Sequence, residues 1–405
     1  MLPPLSAEER RHSCALAMLI HEQLVAAGGW LPFERFMELA LYAPGLGYYS
    51  AGSAKLGVGG DFVTAPEASD LFSRCVARQC AAVLATTGGE ILELGGGTGR
   101  MAAAVLTELA RQGVAPERYA ILEVSADLAE RQRKRLAQLP AGLRERVVWL
   151  ERLPERPLRG VMLANEVADA LPCRRFTWRD GRISELGVVP GALAIPEEAA
   201  ATDAGAIPGD TPVSFRERAG VADGALMRAC AEILAELPDR LPQGYTSEVC
   251  LRLGPWIATL GECLERGLLL LCDYGLPRRH YYHPQRSAGT LRCHYRQLAH
   301  DDPYVNVGVQ DITAWVDFTR VAHAAHAAGL TVSGFATQAA FLLGLGLEAL
   351  VAEAADDVSR ARLAGEARRL LMPEEMGEAF KAMALTRDLD LPLAGFALQD
   401  LRHLL

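Results

Sequence analysis

A carboxylate and a run of glycines stand together at residues 93–99 of this 405-residue chain, in the sequence Glu-Leu-Gly-Gly-Gly-Thr-Gly. Glycine allows a backbone to approach a ligand closely, and the first turn of a helix offers N–H groups that have no partner within the helix. A carboxylate beside such a loop can accept hydrogen bonds from an amino group or from ribose hydroxyls. These residue types predict a site for a nucleotide-like cofactor.

Two cofactor patterns overlap in this loop. The dinucleotide fingerprint G-x-G-x-x-A is matched by Gly97, Gly99 and Ala102. The loop with which class I methyltransferases bind S-adenosylmethionine (SAM) is matched by Glu93, Gly95, Gly97 and Gly99. In the dinucleotide fold the first glycine follows the strand directly, whereas Gly97 comes two residues late. The frame favours SAM, with the dinucleotide site and an ordinary turn as the alternatives.

A second acid indicates a ribose. The apolar run at 119–124 reads as a strand, and Glu123 lies at its end. An acid in this position commonly accepts hydrogen bonds from both ribose hydroxyls. NAD and SAM sites share this device, so Glu123 supports a ribose without choosing between them. The alternative is an ordinary carboxylate at the end of a strand.

Alternating strands and helices must position these residues. The predicted strands are the apolar runs 91–94, 119–124, 147–150, 161–164 and 268–273. Helical patterns at 101–112 and 127–139 separate the first three. Near-continuous apolar strands predict a parallel sheet with helices on both faces.

The stretch between the fourth and fifth strands is far too long for a simple crossover. It contains a predicted hairpin that turns at Asp180-Gly181, followed by helices near 221–236 and 247–266. After the fifth strand we expect a helix near 311–328, a strand near 330–335 and C-terminal helices. The long insertion reads as a subdomain on the substrate side.

Composition narrows the classes of function. The net charge is −9 and no long block of Lys and Arg is present, which argues against nucleic acid as the main ligand. The nine cysteines are dispersed without a C-x-x-C pair, as expected of reduced thiols in the cytoplasm. The N-terminus reads as an amphipathic helix that opens with a capping box, Ser6-x-x-Glu9, and we predict no membrane span.

Seven motifs occur in order along the chain, at 60–67 (GDFVTAPE), 93–99 (ELGGGTG), 164–172 (ANEVADALP), 272–275 (CDYG), 289–292 (GTLR), 310–313 (QDIT) and 334–342 (GFxxQxxFL). Together they resemble the MidA-like family of class I SAM-dependent methyltransferases. The resemblance implies SAM as cofactor and a protein-arginine N-methyltransferase, whose mitochondrial members assemble respiratory complex I and methylate an arginine on one of its subunits. One departure is that Gly96 and Thr98 stand where the family often has Pro and Arg.

The fold class predicted from these patterns is α/β, with a Rossmann-like class I methyltransferase sheet, a helical N-terminal region and a large α+β insertion between strands 4 and 5. The expected divisions are a helical region 1–60, a first core half 61–175, an inserted subdomain 176–266, a second core half 267–345 and C-terminal helices 346–405.

The loop after the fourth strand carries the predicted catalytic residues Asn165, Glu166 and Asp169. Ligands of a doubly wound sheet bind beyond the carboxyl ends of its strands. A guanidinium stays protonated in water, and paired carboxylates can orient it by bidentate hydrogen bonds. We assign Glu166 and Asp169 to this role and Asn165 to shaping the loop beside the cofactor. The alternative is a helix N-terminus stabilised by acids.

Further substrate-side candidates are Asp61, Glu67, Glu248, Asp273, Tyr274 and His300. For Glu67, ordinary helix-entry chemistry explains the residue equally well. Histidines cluster at 280, 283, 294 and 300, but no ligand spacing has a helical register, so we expect no metal. His294 or His300 can instead take a proton from the methylated nitrogen. Trp315 and Phe318 are predicted to pack in the core.

Three functions compete at this point. The first is a SAM-dependent methyltransferase that acts on a protein arginine, with a complex I subunit as the acceptor that the resemblance implies. The second is an NAD(P)-dependent oxidoreductase, and the third is a non-catalytic assembly protein on a methyltransferase fold. We expect a protein substrate and no nucleic acid. The oligomeric state is not indicated by the sequence.

Overall fold

The computed structural model describes residues 2–51, 63–191 and 213–405. Its helices are α1 (Ala7–Ala26), α2 (Phe33–Tyr42), α3 (Ala65–Ala68), α4 (Asp70–Thr87), α5 (Arg100–Arg111), α6 (Ala126–Leu136), α7 (Ala141–Arg144), α8 (Gly224–Glu236), α9 (Leu253–Glu262), α10 (Arg278–Tyr281), α11 (Phe318–Ala327), α12 (Gln338–Gly344), α13 (Leu347–Ala352) and α14 (Asp357–Leu371).

The strands are β1 (Leu31–Pro32), β2 (Glu90–Leu94), β3 (Tyr119–Leu122), β4 (Val147–Leu150), β5 (Leu158–Asn165), β6 (Arg174–Arg179), β7 (Arg182–Pro190), β8 (Phe215–Val221), β9 (Tyr245–Val249), β10 (Leu264–Leu276), β11 (Arg292–Tyr295), β12 (Leu298–His300), β13 (Asp311–Thr313), β14 (Val316–Asp317), β15 (Thr331–Thr337) and β16 (Phe380–Arg387). A short π-helix lies at Pro373–Gly377, and 3₁₀ turns lie at Ala394–Phe396 and Arg402–Leu404.

The chain divides into two units. Unit 1 comprises Met1–Ser53, Ala170–Leu251 and Tyr282–Ala314, and unit 2 comprises Ala54–Asp169, Arg252–Tyr281 and Trp315–Leu405. Residues 282–314, which we expected in the second core half, therefore belong to unit 1. The long insertion and the segment after β10 together supply most of that unit.

Unit 2 is built on an eight-stranded sheet. Seven strands run in the order β15-β16-β10-β5-β2-β3-β4, and β14 pairs with β10. The five predicted core strands are parallel to one another. Four of them are buried along most of their length, whereas in the edge strand β4 only Val147 is buried. The α/β fold class predicted from the sequence is confirmed.

The strand order reverses between β2 and β5. The chain runs outward from β2 to β3 and β4, and then returns to β5 on the other side of β2. Such a switch point leaves a crevice beyond the carboxyl ends of the two central strands. The loop after β2 and the loop after β5 both border this crevice, and these are the loops that carry the predicted cofactor and catalytic residues.

The last core strand corrects two expectations. Residues 380–387 form β16, which runs antiparallel between β10 and β15, so the sheet is mixed and the C-terminal segment is not purely helical. Six consecutive residues of β16 are buried, from Lys381 to Thr386. A strand that is buried on both faces fits only inside a sheet, where neighbours satisfy its backbone groups on each side.

Glycines allow the central strands to approach one another closely at one level of the sheet. Gly160 of β5 and Gly267 of β10 are partners in the register. A Cβ on Gly267 would lie 1.9 Å from the carbonyl oxygen of Gly160, and the φ of Gly267 is +141°. Only glycine fits there, both sterically and in backbone conformation.

Unit 1 contains a five-stranded sheet and a three-stranded sheet. The first has the order β1-β7-β6-β9 with β8 paired to β7, and the second has the order β12-β11-β13. The predicted hairpin is present as β6 and β7. Its turn residues Asp180 and Gly181 have φ values of +51° and +73°, as a tight hairpin turn requires.

Three predicted helices begin later in the structure. The segment 247–266 continues strand β9 before α9 starts at Leu253, and α8 starts at Gly224 after β8. The segment 311–328 begins with two short strands, and α11 starts at Phe318. Asp317 caps α11 and Asp223 caps α8 through their side chains. The side chain of a capping residue accepts hydrogen bonds from N–H groups of the first turn, which have no partner within the helix. These two aspartates therefore give the starts of α8 and α11.

In the described residues no helix is both long and apolar enough to cross a membrane. None of the nine cysteines, all of which lie in the described residues, is joined in a disulfide.

Candidate functional site

The loop after β2 holds three glycines in the left-handed region. The φ values are +64° at Gly95, +52° at Gly97 and +79° at Gly99, which is the N-cap of α5. The Gly95 N–H donates to the carbonyl of Leu122 at 3.0 Å, so the loop is anchored to the end of β3. This conformation presents backbone N–H groups at the start of α5, and the three glycines add no side chain beside them.

Glu93 precedes the loop and is almost fully buried, with 2% of its surface exposed. Tyr119 of β3 donates its hydroxyl hydrogen bond to Glu93 Oε2 at 2.7 Å. Burial, only partly offset by this hydrogen bond, raises the pKa of Glu93 from 4.5 to about 7. A buried carboxyl whose charge is this costly would gain from a cationic partner such as an amino group.

Glu123 follows the end of β3 and is half-buried. Its Oε1 accepts from the Ser125 N–H at 2.9 Å, and its Oε2 accepts from Gln132 Nε2 at 2.9 Å. Burial raises the pKa of this carboxyl. Gln132 was missed by the sequence reasoning, although it lies on the buried stripe of α6 formed by Ala129, Gln132 and Leu136.

Helix α3 lies between the glycine loop and the loop after β5. Thr98 of the glycine loop donates to the carboxylate of Glu67, and Arg100 donates to the Glu67 carbonyl. At the other end of α3, the Ala65 N–H donates to Glu166 Oε1 at 3.1 Å. The structure thus places Glu67, a predicted substrate-side residue, directly against the cofactor-side loop.

The predicted catalytic loop begins at the end of β5. Asn165 Nδ2 donates to Glu166 Oε1 at 3.1 Å, and the Glu166 N–H donates to the carbonyl of Cys272 on β10 at 2.9 Å. Glu166 has a φ of +53°, which is unusual for a residue with a side chain. Backbone strain of this kind, held by surrounding hydrogen bonds, is concentrated at functional sites.

Asp273 fastens this loop to the end of β10. Its Oδ2 accepts from the N–H groups of Ala168 and Asp169 at 3.0 and 3.3 Å, and its Oδ1 accepts from the Tyr274 N–H at 2.9 Å. The hydroxyl of Tyr274 in turn donates to Asp169 Oδ2. Burial, followed by repulsion from Asp169 and Glu166, raises the pKa of Asp273 well above its ordinary value. Four of the predicted site residues therefore lie close together in unit 2. They are Glu166, Asp169, Asp273 and Tyr274.

Aromatic rings pack against Tyr274. Trp315 and Phe380 meet its ring edge-on, with centroid distances of 6.4 and 5.2 Å. Phe318 is fully buried and packs against Phe335 in the core, as predicted. Trp315 differs, because it is half-buried at the end of the sheet and not in the core interior.

Two other candidates belong to unit 1. Glu248 is fully buried, and its carboxylate accepts from the Thr290 N–H at 2.8 Å and from Arg175 Nε at 3.4 Å. These contacts tie strand β9 to the segment at 290 and to β6. His300 lies on β12, and its Nδ1 accepts from the Asp302 N–H at 3.3 Å.

The remaining predictions concern Asp61 and a metal. Asp61 lies outside the described residues. Within the described ranges, no group of three or more His, Cys, Asp or Glu side chains is arranged to hold a metal ion. Burial lowers the pKa of His294, which keeps that ring neutral over a wider range of pH.

Comparison with known proteins decides between the cofactors. A family model described as "Putative S-adenosyl-L-methionine-dependent methyltransferase" matches residues 75–336. The chain belongs to this family. It is therefore a SAM-dependent methyltransferase, and the oxidoreductase alternative is set aside.

Solved and curated relatives of this methyltransferase agree with that assignment. The crystal structure of a "likely methyl transferase" from Burkholderia thailandensis, bound to S-adenosyl-homocysteine (SAH), is 38% identical over the full length of both chains, with a TM-score of 0.89. The protein arginine methyltransferase NDUFAF7 homolog of Drosophila melanogaster, a mitochondrial protein, is 28% identical and covers 95% of this chain and 87% of its own length. The mouse protein arginine methyltransferase NDUFAF7, also mitochondrial, is 27% identical, with 89% and 82% covered.

The residues of this methyltransferase fit SAM. The left-handed glycines add no side chain beside the N-terminus of α5, and Glu123 presents a carboxylate suited to ribose hydroxyls. The buried Asn165 Oδ1 has no hydrogen-bond partner among the described residues, and an acceptor of this kind suits an amino group. We expect Glu93, the glycine loop, Glu123 and Asn165 to hold the cofactor, which supplies an electrophilic methyl group when bound.

Proposed function

We propose that this methyltransferase modifies an arginine side chain of a protein. The observation that carries the proposal is the convergence of Glu166, Asp169 and Asp273 at the carboxyl ends of β5 and β10. The names of the Drosophila and mouse relatives specify protein arginine methylation. The acid cluster supplies a chemical reason for the same acceptor in this chain.

Carboxylates at this place match the needs of a guanidinium. An arginine side chain keeps its proton at neutral pH, because its pKa lies above about 12. Hydrogen bonds from the guanidinium to Asp169 and Glu166 would hold one nitrogen in line for displacement and localise the positive charge on the others. As the nitrogen–carbon bond forms and the sulfur–carbon bond breaks, Asp169 takes the proton released from that nitrogen.

The electrostatics of the cluster favour a cationic acceptor over a neutral one. Burial, followed by repulsion from Asp169 and Glu166, raises the pKa of Asp273, which means that the full set of negative charges is costly in the unliganded protein. A bound guanidinium would relieve this repulsion, because an opposite charge stabilises each ionised carboxylate. A neutral hydroxyl or amide acceptor carries no charge and would not relieve this repulsion.

The substitution Asp169→Asn tests the proposal, with Asp390→Asn as a matched control because Asp390 is an exposed acid of the same unit. A strain that lacks the gene is complemented with the wild type or with either variant, and methylated arginines are compared by tandem mass spectrometry. We expect a methyl mark that is lost in the deletion, restored by the wild type and by Asp390→Asn, and absent with Asp169→Asn. Calorimetry with SAH should show unchanged binding in the purified Asp169→Asn protein.

An undiminished mark with Asp169→Asn would contradict the assigned role of this acid. If the deletion lost no arginine mark at all, the proposed acceptor would be wrong.

We further propose a respiratory complex I subunit as the acceptor and the cytoplasm as the place of action. The family resemblance supports the first, and the dispersed cysteines, none of which is joined in a disulfide, support the second. The mass-spectrometric comparison identifies the acceptor directly. Cell fractionation followed by immunoblotting tests the location, and recovery in a membrane or organelle fraction would contradict it.

A further inference from the structure

We propose that Gln132 is a positioning residue, which holds the glycine loop and the ribose-side acid Glu123 in the arrangement that binds SAM. Gln132 lies on α6 and is fully buried. Its Nε2 donates to the Gly97 carbonyl at 3.0 Å and to Glu123 Oε2 at 2.9 Å. A primary amide has two N–H donors, and these two contacts use both of them.

The orientation of the Gln132 amide is fixed by Trp149 of β4. The indole Nε1–H can only donate, and it meets Gln132 Oε1 at 2.9 Å. The oxygen must therefore face Trp149, and the NH₂ group must face the loop and Glu123. Three hydrogen bonds on one buried side chain leave it no second rotamer that satisfies all of its partners.

Two glycines of the loop after β2, Gly96 and Gly99, pack against Gln132 of α6. A Cβ on Gly99 would lie 3.1 Å from the Cα of Gln132, and a Cβ on Gly96 would lie 3.1 Å from Gln132 Nε2. The glycine loop is therefore in close contact with Gln132 at both Gly96 and Gly99. A change in the amide would therefore act on both the glycine loop and the Glu123 carboxylate, which we expect to bind the cofactor.

The substitution Gln132→Glu removes the donors and keeps the shape. A glutamate at this position cannot donate to Gly97 or Glu123 when ionised, and it places a like charge beside Glu123. We expect the dissociation constant for SAH, measured by calorimetry, to rise about 10- to 100-fold, as for the loss of hydrogen bonds to a charged group. The matched control is Gln138→Glu, which adds the same charge at an exposed position just after α6 and should change the constant less than about twofold.

Two further measurements separate positioning from general damage to the fold. In steady-state kinetics, Gln132→Glu should raise the KM for SAM and leave kcat at saturating SAM close to that of the wild type. In a Glu123→Gln background the same substitution should weaken SAH binding less, because the like-charge repulsion is gone and the amide introduced at position 123 can donate to the carboxylate introduced at position 132. Gln132→Met, which removes the hydrogen bonds without adding charge, should weaken SAH binding about tenfold if Gln132→Glu does not fold.

Wild-type affinity for SAH in both of these variants at position 132 would overturn the proposal. A loss confined to kcat with an unchanged KM would do the same, since it would indicate a smaller fraction of folded enzyme. The calorimetric test measures cofactor binding and needs no methyl acceptor, so its failure would leave the proposed function untouched.

Discussion

The buried carboxyl of Glu93 gives a prediction whose size follows from the structure. Burial raises its pKa from 4.5 to about 7. Because the folded-state pKa is the higher one, the protein loses stability as pH rises through this window. The difference of about 2.5 between the two pKa values corresponds to roughly 3 kcal/mol, at about 1.36 kcal/mol for each pKa unit.

The substitution Glu93→Gln removes this titration and keeps an acceptor for the Tyr119 hydroxyl. Between pH 5 and pH 8 we expect the free energy of unfolding of the wild type to fall by roughly 2.5 kcal/mol more than that of Glu93→Gln. Urea unfolding followed by circular dichroism at both pH values measures this. The control is Glu117→Gln, at an exposed position, which should follow the wild type.

Saturating SAH should reduce the pH dependence of the wild type, because its amino group would stabilise the ionised form of Glu93. Equal pH dependence in the wild type and Glu93→Gln would refute the account of this carboxyl as a costly buried charge that awaits a cationic partner.

Three further substitutions have defined outcomes. Gly96→Ala places a Cβ 2.7 Å from Ile121 and should weaken SAH binding at least about tenfold in calorimetry, whereas Gly142→Ala, with nothing within 4 Å, should not. Tyr274→Phe removes the hydrogen bond to Asp169 and should lower kcat about tenfold with little change in SAH affinity; a change in affinity alone would argue against a role on the acceptor side. Gly267→Ala should destabilise the fold by roughly 3 kcal/mol or more in urea unfolding, and a stable variant would disprove the close approach of β5 and β10.

The parts of this molecule that depend on local pattern could be read from the sequence. The strands at 91–94 and 147–150 and the hairpin at Asp180-Gly181 follow from apolar runs and turn residues, and the structure has them at nearly the same bounds. The acids Glu93 and Glu123 were found because each lies at the end of a core strand. Glu166 and Asp169 were found because their loop follows a core strand and matches a motif of the family that the chain resembles. In a parallel sheet the carboxyl ends of neighbouring strands share one edge, which brings such residues together.

The parts that depend on distant partners could not be read in this way. Strand β16 follows three helices and joins the sheet between β10 and β15, and nothing in its own pattern states which strands it pairs with. The Asp273 carboxylate accepts hydrogen bonds from the backbone N–H groups of Ala168 and Asp169, which lie more than a hundred residues earlier in the chain. Gln132 reads as a surface residue by type, and only its place on the buried stripe of α6 signals otherwise.

The most direct test of the account is to find where the methyl group goes. Purified protein and SAM with a deuterated methyl group are added to a lysate of the deletion strain, and labelled peptides are sequenced by tandem mass spectrometry. We predict deuterated methyl on an arginine guanidinium nitrogen, with no label when Asp169→Asn replaces the wild type. Label on another type of side chain or on a small molecule, or equal labelling by both proteins, would contradict the assignment of the acid cluster to an arginine acceptor.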